Sequence, residues 1–170
     1  ATVSDTTVAA ADLNTIDGRT TGLVTATSAT TITGTASAIA TAATSSGIQT
    51  SGSFAATVSG TTVAAADLNT IDGRTTGLVT ATAATTITGT ASDIKAAIQS
   101  VGIATSTSYN ATVDSGTLSV ADANIIDADT TGVITATISN GAASTLKTLT
   151  GSNNAYTITV TDATVAASDL

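Results

Sequence analysis

Short alternations of threonine with small or β-branched residues recur along the chain, as in Leu23-Val24-Thr25-Ala26-Thr27 and Thr31-Ile32-Thr33. A period of two puts apolar side chains on one side of an extended segment and hydroxyls on the other, so these stretches predict strands. A second pattern alternates with the first. Ile94, Ala97, Ile98 and Val101 stand at i, i+3, i+4 and i+7 and predict a helix over 91–101. Thr90 with Asp93 gives it a capping-box-like start, and Gly102 supplies a residue for its end. The counterpart over 36–46 keeps Ile39, Ala42 and Ala43 and closes on Ser-Ser-Gly. Val8, Leu13 and Ile16 predict a shorter helix ending at Gly18.

These alternations are copies of one another. Residues 1–13 return as 56–68, more loosely as 111–123, and again as 158–170. The sequence therefore divides into repeat 1 (1–55), repeat 2 (56–110), a shortened repeat 3 (111–157) and the start of a further repeat (158–170). Each full repeat splits into halves of about 27 residues. In repeat 2 these halves carry strand segments at 56–63 and 78–88, each followed by a helical or turn segment. Repeat 3 lacks the second helical pattern and carries the turn pair Asn140-Gly141 and Leu146-Lys147-Thr148-Leu149 in its place. It also has Asp129 where Arg19 and Arg74 stand in the other two. Repeats of this size stack so that each unit buries its apolar face against its neighbours. The expected fold is a right-handed parallel β-solenoid: strands stacked in units of about 27 residues, with short helices or tight turns between them. A string of β-sandwich domains would need about 100 residues per domain and larger core side chains.

Composition agrees with thin layers rather than one thick core. The apolar residues are mostly Ala, Val and Ile, with one Phe, two Tyr and no Trp or Met. Proline is absent, so every backbone N–H can join a ladder. Twelve Asp against four basic residues give a net charge of −8. That balance opposes nucleic acid and anionic membranes as partners, and it favours solubility or cation binding. Having no Cys or His removes disulfides, thiolate metal sites and the commonest transition-metal ligand. No secretory leader and no run of about 18 apolar residues occurs, so membrane insertion is not expected.

The aspartates are the chemical groups that remain. Asp12, Asp67, Asp122 and Asp169 are equivalent, as are Asp17, Asp72 and Asp127. Calcium takes 6–8 oxygens, so several carboxylates must converge, and equivalent positions two units apart do not. Helix capping and turn closure account for most of these residues. Asp122, Asp127 and Asp129 are the candidates for a calcium site; no other cofactor is expected. Without His, Cys or Glu, a nucleophile could be activated only around Lys95 or Lys147, and no enzyme activity is expected. Stacked Thr-x-Thr strands would also form a flat array of hydroxyls and methyls like the ice-binding faces of antifreeze β-solenoids. A Thr-rich solvated sheet is the preferred reading.

The phrases Thr-Val-Ala-Ala-Ala-Asp-Leu-Asn-Thr-Ile-Asp-Gly-Arg-Thr-Thr-Gly (7–22 and 62–77) and Thr-Ile-Thr-Gly-Thr-Ala-Ser-Asp-Ile (86–94) resemble the tandem repeats of giant secreted or surface proteins of cyanobacteria and other aquatic bacteria. Phage tail-fibre repeats share the Thr-Gly-x-Val-Thr-Ala-Thr wording. The resemblance implies an extracellular or cell-surface location and a structural or adhesive role. Because 158–170 match 1–13, Leu170 could run on into a copy of Asn14. The expected function is a segment of an extracellular filament that self-associates end to end or continues in a longer chain. An adhesive or ligand-binding module for calcium, glycan or ice is the alternative.

Overall fold

The computed structural model describes residues 1–169 and contains twelve short strands and six α-helices among them. The strands are β1 (Thr7–Ala9), β2 (Val24–Ala26), β3 (Thr31–Thr35), β4 (Ile48–Thr50), β5 (Ala55–Ser59), β6 (Thr62–Ala64), β7 (Val79–Ala81), β8 (Thr86–Thr90), β9 (Ile103–Thr105), β10 (Asn110–Ser115), β11 (Ile134–Thr137) and β12 (Ala155–Thr157). The helices are α1 (Ala10–Asp17), α2 (Ala36–Thr44), α3 (Ala65–Asp72), α4 (Ala91–Gln99), α5 (Val120–Asp129) and α6 (Ala143–Leu146). Every strand pairing is parallel. Two sheets have five strands, in the orders β1-β3-β5-β7-β9 and β12-β11-β10-β8-β6, and a third holds only β2 and β4.

This α/β arrangement of three sheets corrects the expectation of a single stacked β-solenoid. The reason is arithmetic. Most paired strands lie 24 residues apart, as Thr7 with Thr31, Thr31 with Ala55 and Thr62 with Thr86, whereas half of a 55-residue repeat is 27 or 28. A full repeat therefore overshoots two pairing steps by seven residues, and identical sequences land in different sheets. The Thr-Val-Ala of β1 lies in the first five-stranded sheet, and its copy β6 lies in the second. The Val-Thr-Ala of β2 is in the small sheet, and its copy β7 is in the first large one. The strand expected over 78–88 is consequently two strands, β7 and β8, in separate sheets. The segment 56–63 likewise spans parts of β5 and β6.

The helices form more of the structure than tight turns would. α1 packs on α2, α2 on α3, α3 on α4 and α4 on α5. Thr35, Thr90 and Ser119 cap α2, α4 and α5 with hydroxyls that accept from Ala38, Asp93 and Asp122 N–H groups. Gly102 does not cap α4 as expected, because that helix ends at Gln99 and its cap is the extended residue Ser100. The second half of repeat 3 is not free of helix either, since α6 provides one turn there.

The core runs between the sheets and the helices. Val8, Ile32, Ala56, Val79 and Ile103 are register partners along the first sheet, and all are buried. Val63, Ile87, Ala111 and Ile134 do the same in the second. The helices contribute Leu13, Ile39, Leu68, Ile71, Ile94 and Ile126. Each such Val, Leu or Ile is worth roughly 1.5–3 kcal/mol when fully buried. Small residues suffice because each unit adds only a thin apolar layer.

Candidate functional site

Asp122, Asp127 and Asp129 all lie on α5, and each has its own partner on another element. Asp122 accepts from Lys95 Nζ on α4 at 2.6 Å and from the Ser119 hydroxyl at 3.0 Å. The hydrogen bond from Lys95 holds its carboxyl below the ordinary carboxylate range, with desolvation opposing and Ser119 adding to the lowering. Asp127 accepts from Asn154 Nδ2 at 2.9 Å. Asp129 accepts from the Tyr109 hydroxyl at 2.8 Å. The carboxylates are thus spent on three different neighbours, and no group of three His, Cys, Asp or Glu able to hold a metal occurs among the described residues.

Asp127 belongs to a recurring latch that the sequence reading missed. In repeat 1, Asp17 at the end of α1 accepts from Ser45 Oγ at 2.7 Å, and the same hydroxyl accepts from Gly47 N–H at 3.1 Å. Repeat 2 reproduces this with Asp72, Ser100 and Gly102 at 2.8 and 3.1 Å. A Cβ on Gly47 or Gly102 would collide with the carboxylate, so glycine is required here by close approach. The glycine carbonyls of these two latches accept from Val24 and Val79 N–H. In repeat 3 the Asn154 side chain takes over: its amide nitrogen holds Asp127 and its oxygen accepts from Ile134 N–H at 2.8 Å. The recurrence of Ser-x-Gly at 45–47 and 100–102 was the available signal.

A second contact joins the Thr-Thr-Gly turns of repeats 2 and 3 to an aromatic residue 21 positions earlier. The Thr75 hydroxyl donates to the Phe54 carbonyl and accepts from Gly77 N–H, while Thr130 does the same with Tyr109 and Gly132. Phe54 and Tyr109 occupy matching positions and are fully buried. Their only difference, the tyrosine hydroxyl, meets Asp129, which replaces Arg74. The reversal of charge at 129 and the change from Phe to Tyr therefore meet in one hydrogen bond. In repeat 1 the turn Thr20-Thr21-Gly22 keeps its internal bond, with Gly22 N–H donating to Thr20 Oγ at 3.0 Å.

Lys147 bonds Asp169 as Lys95 bonds Asp122, and Asp169 is equivalent to Asp122 in the repeat. Neither Arg19 nor Arg74 forms an ion pair among the described residues. The expected hydroxyl rows exist within single sheets: Thr33, Thr57 and Thr80 stand side by side, as do Thr88, Thr112 and Thr135. Alanine flanks both rows, through Ala9 and Ala104 in one and Ala64 and Ala155 in the other. A polar cleft of about 370 Å³ opens beside Asp127 between 130–133 and 150–153, where repeat 3 has lost residues. None of these features gathers a nucleophile, a base and an oxyanion donor.

At one end, the half-buried Val3 and Ile16 and the buried Val8 line a groove with Asp5 and Asp12 along α1 and the segment before β1. At the other end, Ile158 and Val160 are exposed, Val160 by 52%, although its repeat counterpart Val58 is only 3% exposed. No helix among the described residues is long and apolar enough to cross a membrane. No known protein family, no curated protein and no solved structure matches this chain.

Proposed function

We propose that this chain is a structural segment of an extracellular or cell-surface filament, built by units that add end to end. The observation that carries the reading is the parallel stacking of successive repeats into two five-stranded sheets. Their edge strands are β1 and β9 in one and β12 and β6 in the other, each with a flank that no described strand covers. Open strand edges are templates for further pairing, and soluble proteins ordinarily cover them. Beside β12, Ile158 and Val160 are exposed where their repeat 2 counterparts Ala56 and Val58 are buried. The repeat sequence supports the same reading, because 158–170 match 1–13 at nine of thirteen positions and continue the same pattern. A charge of −8 with only four basic residues favours a solvated scaffold over one that binds polyanions. Sedimentation velocity and negative-stain microscopy across a concentration series test the proposal. Assemblies that lengthen at constant width are expected; a monodisperse monomer at every concentration would overturn it.

A further inference from the structure

We propose that the groove between α4 and α5 is a side-to-side docking site for a second copy of this chain, whose exposed turn carrying Arg74 and Leu78 it receives. The contact goes beyond end-to-end growth and needs no sheet edge, because both of its halves lie inside repeats 2 and 3.

The groove holds about 210 Å³ and is lined by Ile98, Gln99, Ile125, Ala128 and Asp129. Its apolar lining departs from the repeat pattern. Ile98 stands where repeat 1 has Ala43, Ile125 where Thr15 and Thr70 stand, and Ala128 where Gly18 and Gly73 stand. On the other two helices the threonine hydroxyl turns back onto its own backbone, Thr15 donating to the Ala11 carbonyl at 2.7 Å and Thr70 to that of Ala66 at 2.8 Å. Ile125 instead remains 36% exposed, and Ile98 is half-buried beside it. Asp129 follows Ile125 by four positions on α5, so the two share one face of that helix. One oxygen of its carboxylate is taken by the Tyr109 hydroxyl, and the other has no partner among the described residues. The result is a recessed apolar floor with a half-spent carboxylate at its rim.

The chain itself carries the complement. Arg74 and Leu78 are exposed on one turn, Leu78 by 49%, and Arg74 forms no ion pair among the described residues. Both lysines are already spent, Lys95 on Asp122 and Lys147 on Asp169. Two copies that each carry −8 repel, so a contact between them must set a cation against a carboxylate, and an arginine is the cation left to do so. Its guanidinium fork fits a carboxylate, while Leu78 supplies an aliphatic side chain for the floor. Positions 74 and 129 are equivalents in the repeat with opposite charge. The same corner of the fold is therefore a knob in repeat 2 and a socket in repeat 3. One turn covers less area than a standard interface, so a single contact is weak, and rods lying side by side gain strength by repeating it.

Cross-linking with a short bismaleimide reads the contact directly, in a chain that has no cysteine of its own. T76C marks the turn, Q99C marks the groove, and S37C, exposed on α2, serves as the control for random encounter. With one copy tagged so that mixed products are scored, T76C with Q99C should cross-link about fivefold more than T76C with S37C. Adding R74D to the T76C copy should bring the yield down to the control. Adding Y109F/D129R to the Q99C copy should do the same, the Tyr109→Phe change sparing the buried hydroxyl from losing its partner. Combining the two altered copies reverses both charges and should restore the yield, which a misfolded variant could not do. A yield at the control level for the unaltered pair, indifference to the charge variants, or no recovery in the reversed pair would each overturn the docking site. Lengthening of wild-type assemblies without this cross-link sinks the side contact and leaves end-to-end growth standing. The cross-link without lengthening supports the side contact while the end-to-end reading fails.

Discussion

The Tyr109–Asp129 pair makes a prediction about asymmetry. Tyr109 is fully buried, so its hydroxyl sees little water and depends on Asp129 at 2.8 Å. Asp129 is exposed and can be rehydrated if the hydroxyl is removed. Tyr109→Phe should therefore lose one hydrogen bond, worth about 1 kcal/mol, with the ring packing kept as Phe54 shows it can be. Asp129→Ala leaves a buried donor unsatisfied and should cost about 2 kcal/mol, although it removes the more exposed residue. The double variant should resemble Tyr109→Phe alone, giving a coupling of about 2 kcal/mol. For a chain of this size 1 kcal/mol shifts Tm by about 2–4 °C, so the two single variants separate clearly by calorimetry or circular dichroism. Tyr109→Phe with Asp129→Arg recreates the Phe54 and Arg74 combination of repeat 2 and should stay close to the Tyr109→Phe value. If Asp129→Ala proves no more costly than Tyr109→Phe, the hydroxyl is satisfied elsewhere and the reasoning fails.

Other outcomes follow from the same contacts. The two tyrosines should make the fold sensitive to alkali. Burial, with the nearby Asp127, pushes Tyr156 up to about 12, and burial, with Asp129, pushes Tyr109 higher still. Both phenols are neutral in the folded chain where the unfolded one ionises, so their stabilising effect is complete below about pH 10 and lost as pH rises beyond it. Urea titrations at pH 8 and pH 11 should show this, with a smaller drop for Tyr109→Phe. At the acid end, Asp122 is held low by Lys95, so its contribution is present above about pH 4 and is lost as pH falls below that. Lys95→Ala should cost about 0.5–1 kcal/mol at pH 7 and flatten the acid limb of stability against pH. Two glycine substitutions should differ in sign. Gly102→Ala drives a methyl into the Asp72 carboxylate and should cost about 1–3 kcal/mol, while Gly52→Ala meets nothing within 4 Å and should be neutral or stabilising by up to about 1 kcal/mol on thermal unfolding.

The strands and helices were legible because their signals are local. The alternation of Thr31-Ile32-Thr33, the stripe of Ile94, Ala97 and Ile98 and the Thr90–Asp93 start each depend on neighbours a few residues away, and each appears in the fold. Val101, the fourth member of the expected stripe, lies beyond the end of α4 and is fully exposed. The sheet arrangement was not legible in that way. It depends on how many residues separate paired strands, and a difference of three or four between 24 and the half repeat moves β6 to another sheet from β1. The matching positions of Phe54 and Tyr109 were likewise visible in the sequence, but their role required knowing that the aromatic carbonyl meets a Thr-Thr-Gly turn. The aspartates were hidden for a related reason. Capping and turn closure were expected for most of them, whereas Asp17, Asp72 and Asp127 each find a serine or asparagine from a later segment, at a distance in sequence that no motif specifies.

The seven-residue overshoot also governs handling of the repeats as parts. Inserting one more 55-residue copy would turn everything after it by one sheet, as β7 is already turned relative to its copy β2. Repeat 3 behaves differently. Its pairing steps are 23 and 20 residues, and 47 residues exceed them by only four, which returns β12 to the sheet that already holds β10. A short unit after two long ones therefore acts as a phase correction. The order of long and short copies, rather than their surface residues, would set which side of a longer polymer presents each exposed row.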